Sequence, residues 1–359
     1  MQWQNELTHL LQVTYPIIQA PMLGVTTPHM VATVSNAGAL GSLPIGGLAP
    51  DKARELIQAV KKLTSQPFTV NLFAHEIPAE IDWLAAQRMQ AFLRQIGGKY
   101  GFTWPEQPLE ELRFYSAQQQ IDVVLAEQVP VISFTFGMLD AESLAALKKA
   151  GTVLIGTATC LEEALLLQER QVAAITLQGM EAGGHRGTFS STHYLPQKEM
   201  AELVRETVPQ VQLPVVAAGG IMDGNVICSA LSLGAQAVQL GSAFLRCPES
   251  AATPAYKRAV AASTAASTAL TQAFSGRWAR GIQNSFMQEI ASAGIAVCPY
   301  PVQDSLTRPL REQARQADEP ALILLWAGQA AYLAQEVPAA QVIARLVEET
   351  EQAYQAITE

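Results

Sequence analysis

A chain of 359 residues, 49% hydrophobic and 15% charged, can bury one large core with an appendage, or form two domains, and is too apolar to be disordered. Its formal net charge of −9 argues against general attraction to nucleic acid or anionic membrane, so an anionic ligand needs a local cationic site. Cys160, Cys228, Cys247 and Cys298 have no CxxC or Cys/His ligand spacing. They read as reduced residues of a cytoplasmic protein that holds no metal. The start of the chain is too polar for a signal peptide, and no run reaches the ~18 apolar residues of a membrane helix.

Short apolar or β-branched runs recur at residues 16–22, 39–45, 68–73, 129–136, 152–157, 173–178, 214–218 and 237–240. Helix-like segments lie between most of them, at 50–63, 142–150, 160–169, 198–206 and 225–233. Continuous apolar strands, each followed by a helix, predict a parallel sheet covered on its outer side. Eight such units predict a (β/α)8 TIM barrel. A doubly wound open sheet is the alternative, disfavoured because no GxGxxG turn follows a strand. The insertion at 75–128 carries Trp83, Tyr100, Phe102 and Trp104, and the tail beyond Arg246 is Ala-rich, with an irregular stretch at 298–309. The expectation is a barrel from 1–74 and 129–246, with a small, mostly helical lid from 75–128 and 247–359.

The run 178–187, QGMEAGGHRG, follows the sixth strand and places four glycines around one histidine. Glycines at a strand end let backbone approach a flat or phosphorylated ligand, and a histidine can exchange a proton near neutral pH. His185 is therefore the candidate catalytic residue, with a structural role in a glycine turn as the plainer alternative. Arg186 reads as a wall residue or ion-pair partner, and Glu181 as a solvated or capping carboxylate. The other histidines (His9, His29, His75, His193) read as surface or satisfied structural residues.

Ala20, Pro21 and Met22 end the first strand, and Asn71 and Gln178 bring amides to the ends of the third and sixth, suited to the edge of a heteroaromatic ring, with loop hydrogen-bonding as the plainer role of either. Gly219 and Gly220 after the seventh strand, with Gln239, Leu240, Gly241 and Ser242 around the end of the eighth, match a barrel phosphate cradle. Tight turns are the plainer reading of any one pair. Gly328 and Gln329, behind Trp326 and Ala327, permit close approach to a planar ring; core packing of Trp326 is the competing reading.

In this order the motifs resemble those of the nitronate monooxygenases, specifically their bacterial class I, from about residue 16 to residue 329. PIIQAPM (16–22), VNLF (70–73), FTFG (134–137), QGMEAGGHRG, AAGGI (217–221) and QLGSAF (239–244) carry the resemblance. It implies noncovalent FMN at the barrel mouth: Ala20, Pro21 and Met22 along the ring, Asn71 and Gln178 around it. Gly183, Gly184, Gly219, Gly220, Gln239, Leu240, Gly241 and Ser242 would serve the rest of the cofactor, and Gly328 and Gln329 would return to close over the ring.

The resemblance further implies oxidation of alkyl nitronates by molecular oxygen to carbonyl product and nitrite, as detoxification. Propionate 3-nitronate is the expected substrate, and Tyr300 and Arg308 are candidates for its carboxylate; Tyr256 and Lys257 are others. The protein is expected as a monomer or homodimer. An FMN-dependent NAD(P)H enoyl-thioester or quinone reductase shares much of this pattern and stays open, as does a non-catalytic flavin-binding protein.

Overall fold

The computed structural model describes residues 2–103, 108–190 and 195–359; Trp104 and His193 lie outside the described residues. Numbered in chain order, the first strands are β1 (Ile17–Gln19), β2 (Gly41–Pro44), β3 (Phe68–Phe73), β4 (Val131–Thr135), β5 (Val153–Ala158) and β6 (Ala174–Gln178). The two-residue strand β7 (Gly184–His185) follows, then β8 (Val215–Ala218) and β9 (Ala237–Leu240). All but β7 form one parallel sheet in the order β1-β9-β8-β6-β5-β4-β3-β2. A parallel bridge between Ile18 and Leu40 joins its two ends, and the eight strands close as the barrel of a (β/α)8 fold.

Helix α1 (Glu6–Leu11) seals the bottom. Asn5 caps it through a reciprocal box with Thr8, so the helix starts where Leu7 and Leu11 can enter the apolar cluster of Ile18, Leu40, Val131, Ile155 and Val216. Helices α2 (Pro28–Asn36), α3 (Pro50–Lys61), α4 (Trp83–Lys99), α5 (Ala117–Ala126), α6 (Ala141–Lys149), α7 (Leu161–Glu169), α8 (Met200–Thr207) and α9 (Gly224–Ser232) follow. Of these, α4 and α5 both fall within 75–128, but α5 packs on α3, α6 and β3 of the barrel, so only α4 stands apart from it. The tail contributes α10 (Pro254–Ala261), α11 (Ser285–Ser292), α12 (Val302–Gln316) and α13 (Ala339–Thr358).

Two features of the tail differ from the sequence reading. First, β10 (Thr268–Thr271) and β11 (Ala279–Ile282) form an antiparallel hairpin, and β7 pairs with β11 as its third strand. Alanine content hid this hairpin, because its strands are stabilised by partners distant in sequence. Second, the stretch 298–309 is helical from Val302, despite Pro309 inside the helix. An internal proline costs about 3 kcal/mol. Val302, Leu306, Leu310 and Ala314 recur at helical spacing and are buried, and full burial of large apolar side chains contributes roughly 1.5–3 kcal/mol each, so burial wins.

Helix α12 packs against α4, where Gly97 admits Leu310 and, just beyond α4, Thr103 O accepts from Gln313 Nε2 at 2.6 Å; Lys99 of α4 pairs with Glu289 of α11 at 2.7 Å. Helix α13 instead returns to the barrel wall and packs on α9 and α2. There Gly224 donates its N–H to Glu349 Oε2 at 3.0 Å, and a Cβ at Gly224 would stand 2.2 Å from the Glu349 carbonyl carbon. Gly224→Ala should therefore overpack this contact and cost about 1–3 kcal/mol, read as a lower urea midpoint. An unchanged midpoint would mean that α13 does not dock there.

Candidate functional site

The glycine loop leaves β6 at the carboxyl end of the barrel and is held along both edges. On one edge β7 pairs with β11, His185 opposite Ala279 and Gly184 opposite Arg280, and Arg186 N–H donates to Trp278 O at 2.8 Å. On the other edge the Gln178 amide substitutes for a strand: Nε2 donates to His185 O and Oε1 accepts from Gly187 N–H, both at 2.9 Å. Both polar atoms of the Gln178 amide thus hold the loop, the plainer of its two readings, a loop hydrogen-bonder rather than a partner for a ring edge. Buried Arg186 is a wall residue, donating to Gly179 O at 2.5 Å and Gln178 O at 3.1 Å. Glu181 caps α8, accepting from Met200 N–H at 3.0 Å, and burial raises its carboxyl above the ordinary range.

This clamp fixes His185. Its Nε2 lies 2.7 Å from Ser275 Oγ, and its ring meets Phe136 at 5.4 Å and Trp326 at 5.5 Å, both edge-on. Burial lowers its pKa to about 4; Asp304 opposes that shift, while Arg277 and Arg311 add to it. The imidazole is neutral at pH 7. Ser275 Oγ also lies 3.4 Å from Arg277 O, so it can accept Nε2–H and pass its own proton to that carbonyl. In the tautomer that carries its proton on Nε2, Nδ1 is the unprotonated nitrogen, and Nδ1 has no partner among the described residues.

Phe136 is the hub of the wall. Its φ of +75° is strained for a bulky side chain, a cost of about 1–3 kcal/mol that surrounding structure must hold in place. Gly137 beside it passes so close to Ala74 that a Cβ would sit 2.2 Å from Ala74 O. The turn aims Phe136 at Phe73 (4.5 Å), Tyr300 (5.7 Å) and His185, with the Arg277 guanidinium 4.3 Å from its ring centroid. His75 is buried, satisfied by Phe73 O at 3.2 Å, and meets the Tyr300 ring at 4.7 Å. Burial pushes the Tyr300 phenol up, so it keeps its proton.

Tyr300 therefore shares a wall with His185. Arg308 lies on the exposed side of α12, paired with Asp304 at 3.0 Å. Tyr256 and Lys257 are committed to backbone carbonyls, Trp326 O and Cys247 O. Arg277 and Ser275 were missed by sequence reading; the signal available was the polar SGRWARG run (275–281) in an alanine-rich tail.

A cleft of about 480 Å³ opens beside the loop, lined by Glu181, Gly219, Gly220, Asn225, Gln329 and Tyr332 among others. That volume suits a cofactor-sized ligand. Gly219 and Gly220 adopt φ of +127° and +68°. Ser242 Oγ accepts from Gly328 N–H at 2.9 Å and Gln329 N–H donates to Glu181 O at 3.0 Å, which pins 328–329 over the loop. A Cβ at Gly183 would stand 2.4 Å from Gly328 N, so no side chain fits at that crossing. Gly241 faces Ala20 and Met22, next to Pro21, and Gly184 is open, with φ +75°. Buried Leu240 accepts from Ala20 N–H at 2.8 Å, and its neighbour Gln239 pairs in register with Ile18 and Ala218. Buried Asn71 donates to Ser133 Oγ at 3.0 Å. A planar, phosphorylated group fits these residues. Among the described residues no His/Cys/Asp/Glu cluster could hold a metal.

The His185 ring should stay neutral from about pH 8 to about pH 5, seen as constant ¹⁵N shifts, because it protonates near 4 rather than near the ordinary ~6.5. The unfolded chain takes up that proton first, so His185 withdraws stability as pH falls from about 6.5 to about 4 and withdraws none above that range. A titration centred near 6.5 would contradict the desolvation of the ring between Phe136 and Trp326.

The nitronate monooxygenase family model matches residues 4–349. A nitronate monooxygenase of Pseudomonas aeruginosa is 42% identical, over 96% of this chain and 99% of that protein. A nitroalkane oxidase from Streptomyces ansochromogenes superposes with a TM-score of 0.90 at 36% identity, covering 98% of this chain and 100% of that one. FabK of Thermotoga maritima follows at 0.78 and 26%, covering 99% and 98%. With a match along nearly its whole length, this chain belongs to the nitronate monooxygenase family of oxidoreductases.

Proposed function

We propose that this protein oxidises alkyl nitronates, propionate 3-nitronate foremost, with FMN and molecular oxygen, giving a carbonyl compound and nitrite. Its service is removal of toxic nitro compounds in the cytoplasm, a setting consistent with four free cysteines. One observation carries the reading: a neutral imidazole, locked by Ser275, stands on the glycine loop that also walls the cleft, in a chain of this family.

FMN, when bound, supplies the redox capacity that side chains lack. Gly219, Gly220, Gly241 and Ser242 would hold its phosphate, Ala20, Pro21 and Met22 would flank its ring, and Gly183, Gly328 and Gln329 would close over it. His185 removes the α-proton of a neutral nitroalkane through the nitrogen that Ser275 leaves free. With a pKa of about 4 it does not serve as a standing cation for nitronate. Tyr300 donates a hydrogen bond from a phenol that stays protonated, and Phe73, Phe136 and Trp326 keep water from the reacting carbon. The rival reading, an NAD(P)H-dependent reductase of enoyl thioesters or quinones, draws on the likeness to FabK.

Anaerobic mixing of the FMN-loaded protein with propionate 3-nitronate, NADPH or NADH separates the two. Rapid flavin reduction by the nitronate alone is expected; reduction by a nicotinamide alone would establish the reductase. His185→Asn should lower kcat/KM for nitroethane about 10²–10⁴-fold and that for ethyl nitronate less than about 10-fold. Equal losses on both would remove His185 as the base.

A further inference from the structure

We infer that Arg277 is the anion-recognition residue of this site, its guanidinium taking the two nitro oxygens of the substrate as His185 removes the α-proton. This rests on the nitronate-oxidising reading above.

Arg277 sits between β10 and β11, on the hairpin that clamps the glycine loop. Its guanidinium lies 4.3 Å from the Phe136 ring centroid, and Nη2 donates to Thr188 O at 2.7 Å. The same Phe136 ring meets His185 at 5.4 Å and Tyr300 at 5.7 Å, so cation, base and phenol surround one side chain. Among the described residues no carboxylate pairs with Arg277. Glu163 directs its oxygens to Thr159, Phe189 and Ser190, and Asp304 is shared by Arg308 and Arg311. The remaining guanidinium N–H groups have no acceptor among the described residues. A partly buried, unpaired cation is costly until an anion arrives. In a chain of net charge −9 this is a local reversal of sign.

The ligand's chemistry follows from the charge movement. As the α-C–H bond breaks, its proton passes to His185 and its electron pair forms the C=N bond. The negative charge settles on two coplanar nitro oxygens. A guanidinium presents parallel N–H donors that match such a pair, whereas an ammonium presents a point charge. Arg277 also discourages protonation of His185, so one residue keeps the base free and receives the charge that the base creates.

Nitrate, a planar and unreactive oxyanion, is the probe, titrated into the FMN-loaded protein by flavin absorbance and calorimetry. Arg277→Gln should weaken nitrate binding at least about 10-fold, with Arg277→Lys recovering only part of it. Nitroethane turnover should fall with nitrate affinity in Arg277→Gln and recover partly with added guanidinium chloride, which a purely structural role would not produce. Should Arg277→Gln lose its flavin, Arg277→Lys with nitrate decides. Unchanged nitrate affinity in the Arg277 variants, or a loss in Arg308→Gln instead, would overturn the inference. Wild-type protein that binds nitrate through Arg277 yet oxidises no nitronate would refute the proposed function and leave the anion site standing.

Discussion

The site depends on one short piece of antiparallel pairing, Gly184 and His185 against Ala279 and Arg280. A glycine-rich loop has the largest backbone entropy to lose, and glycine neighbours offer no side chains to pack. Left alone, 178–187 would sample many conformations. The tail hairpin supplies a ladder on one edge, and the Gln178 amide supplies the equivalent of a ladder on the other. Arg186 ties the loop to its own first carbonyls, and Arg280 reaches from the hairpin to Met180 O at 2.9 Å. Conformational freedom needed for close ligand approach is thus retained in composition and removed by hydrogen bonds.

Electrostatics follow from the same clamp. The hairpin that positions His185 also carries Ser275, which fixes its Nε2, and Arg277, which adds to burial in keeping it neutral. Phe136, held at positive φ by the close passage of Gly137 over Ala74, gives these groups a common apolar floor. Strain at Phe136 and a cation without a carboxylate are each unfavourable in isolation. The folded barrel sustains both because they lie on a rigid scaffold with a large buried core.

The barrel was legible because its strands are locally distinctive: continuous Val, Ile, Leu and Ala runs at regular spacing admit few other solutions. The helix α1 plug was not, since Leu7 and Leu11 are too few to signal a buried face until the barrel bottom exists to receive them. The hairpin was missed for a related reason: TALT and ARGI have ordinary propensities, and their strand state comes from each other and from β7. Pro309 misled in the opposite direction, a strong local breaker overruled by the face that α12 buries against α4.

For the site, composition alone marked 178–187, the glycine pair after the seventh strand and the Gly-Ser after the eighth as unusual, because close backbone approach requires glycine and the requirement is written into each position. What those glycines approach is a tertiary matter: Gly183 crosses Gly328, and Gly219 and Gly220 face the cleft. The charge state of His185, the identity of its partner Ser275 and the lone cation at Arg277 were all decided by the fold. Burial and pairing are properties of neighbours some 90 positions away, and a sequence read one residue at a time does not contain them.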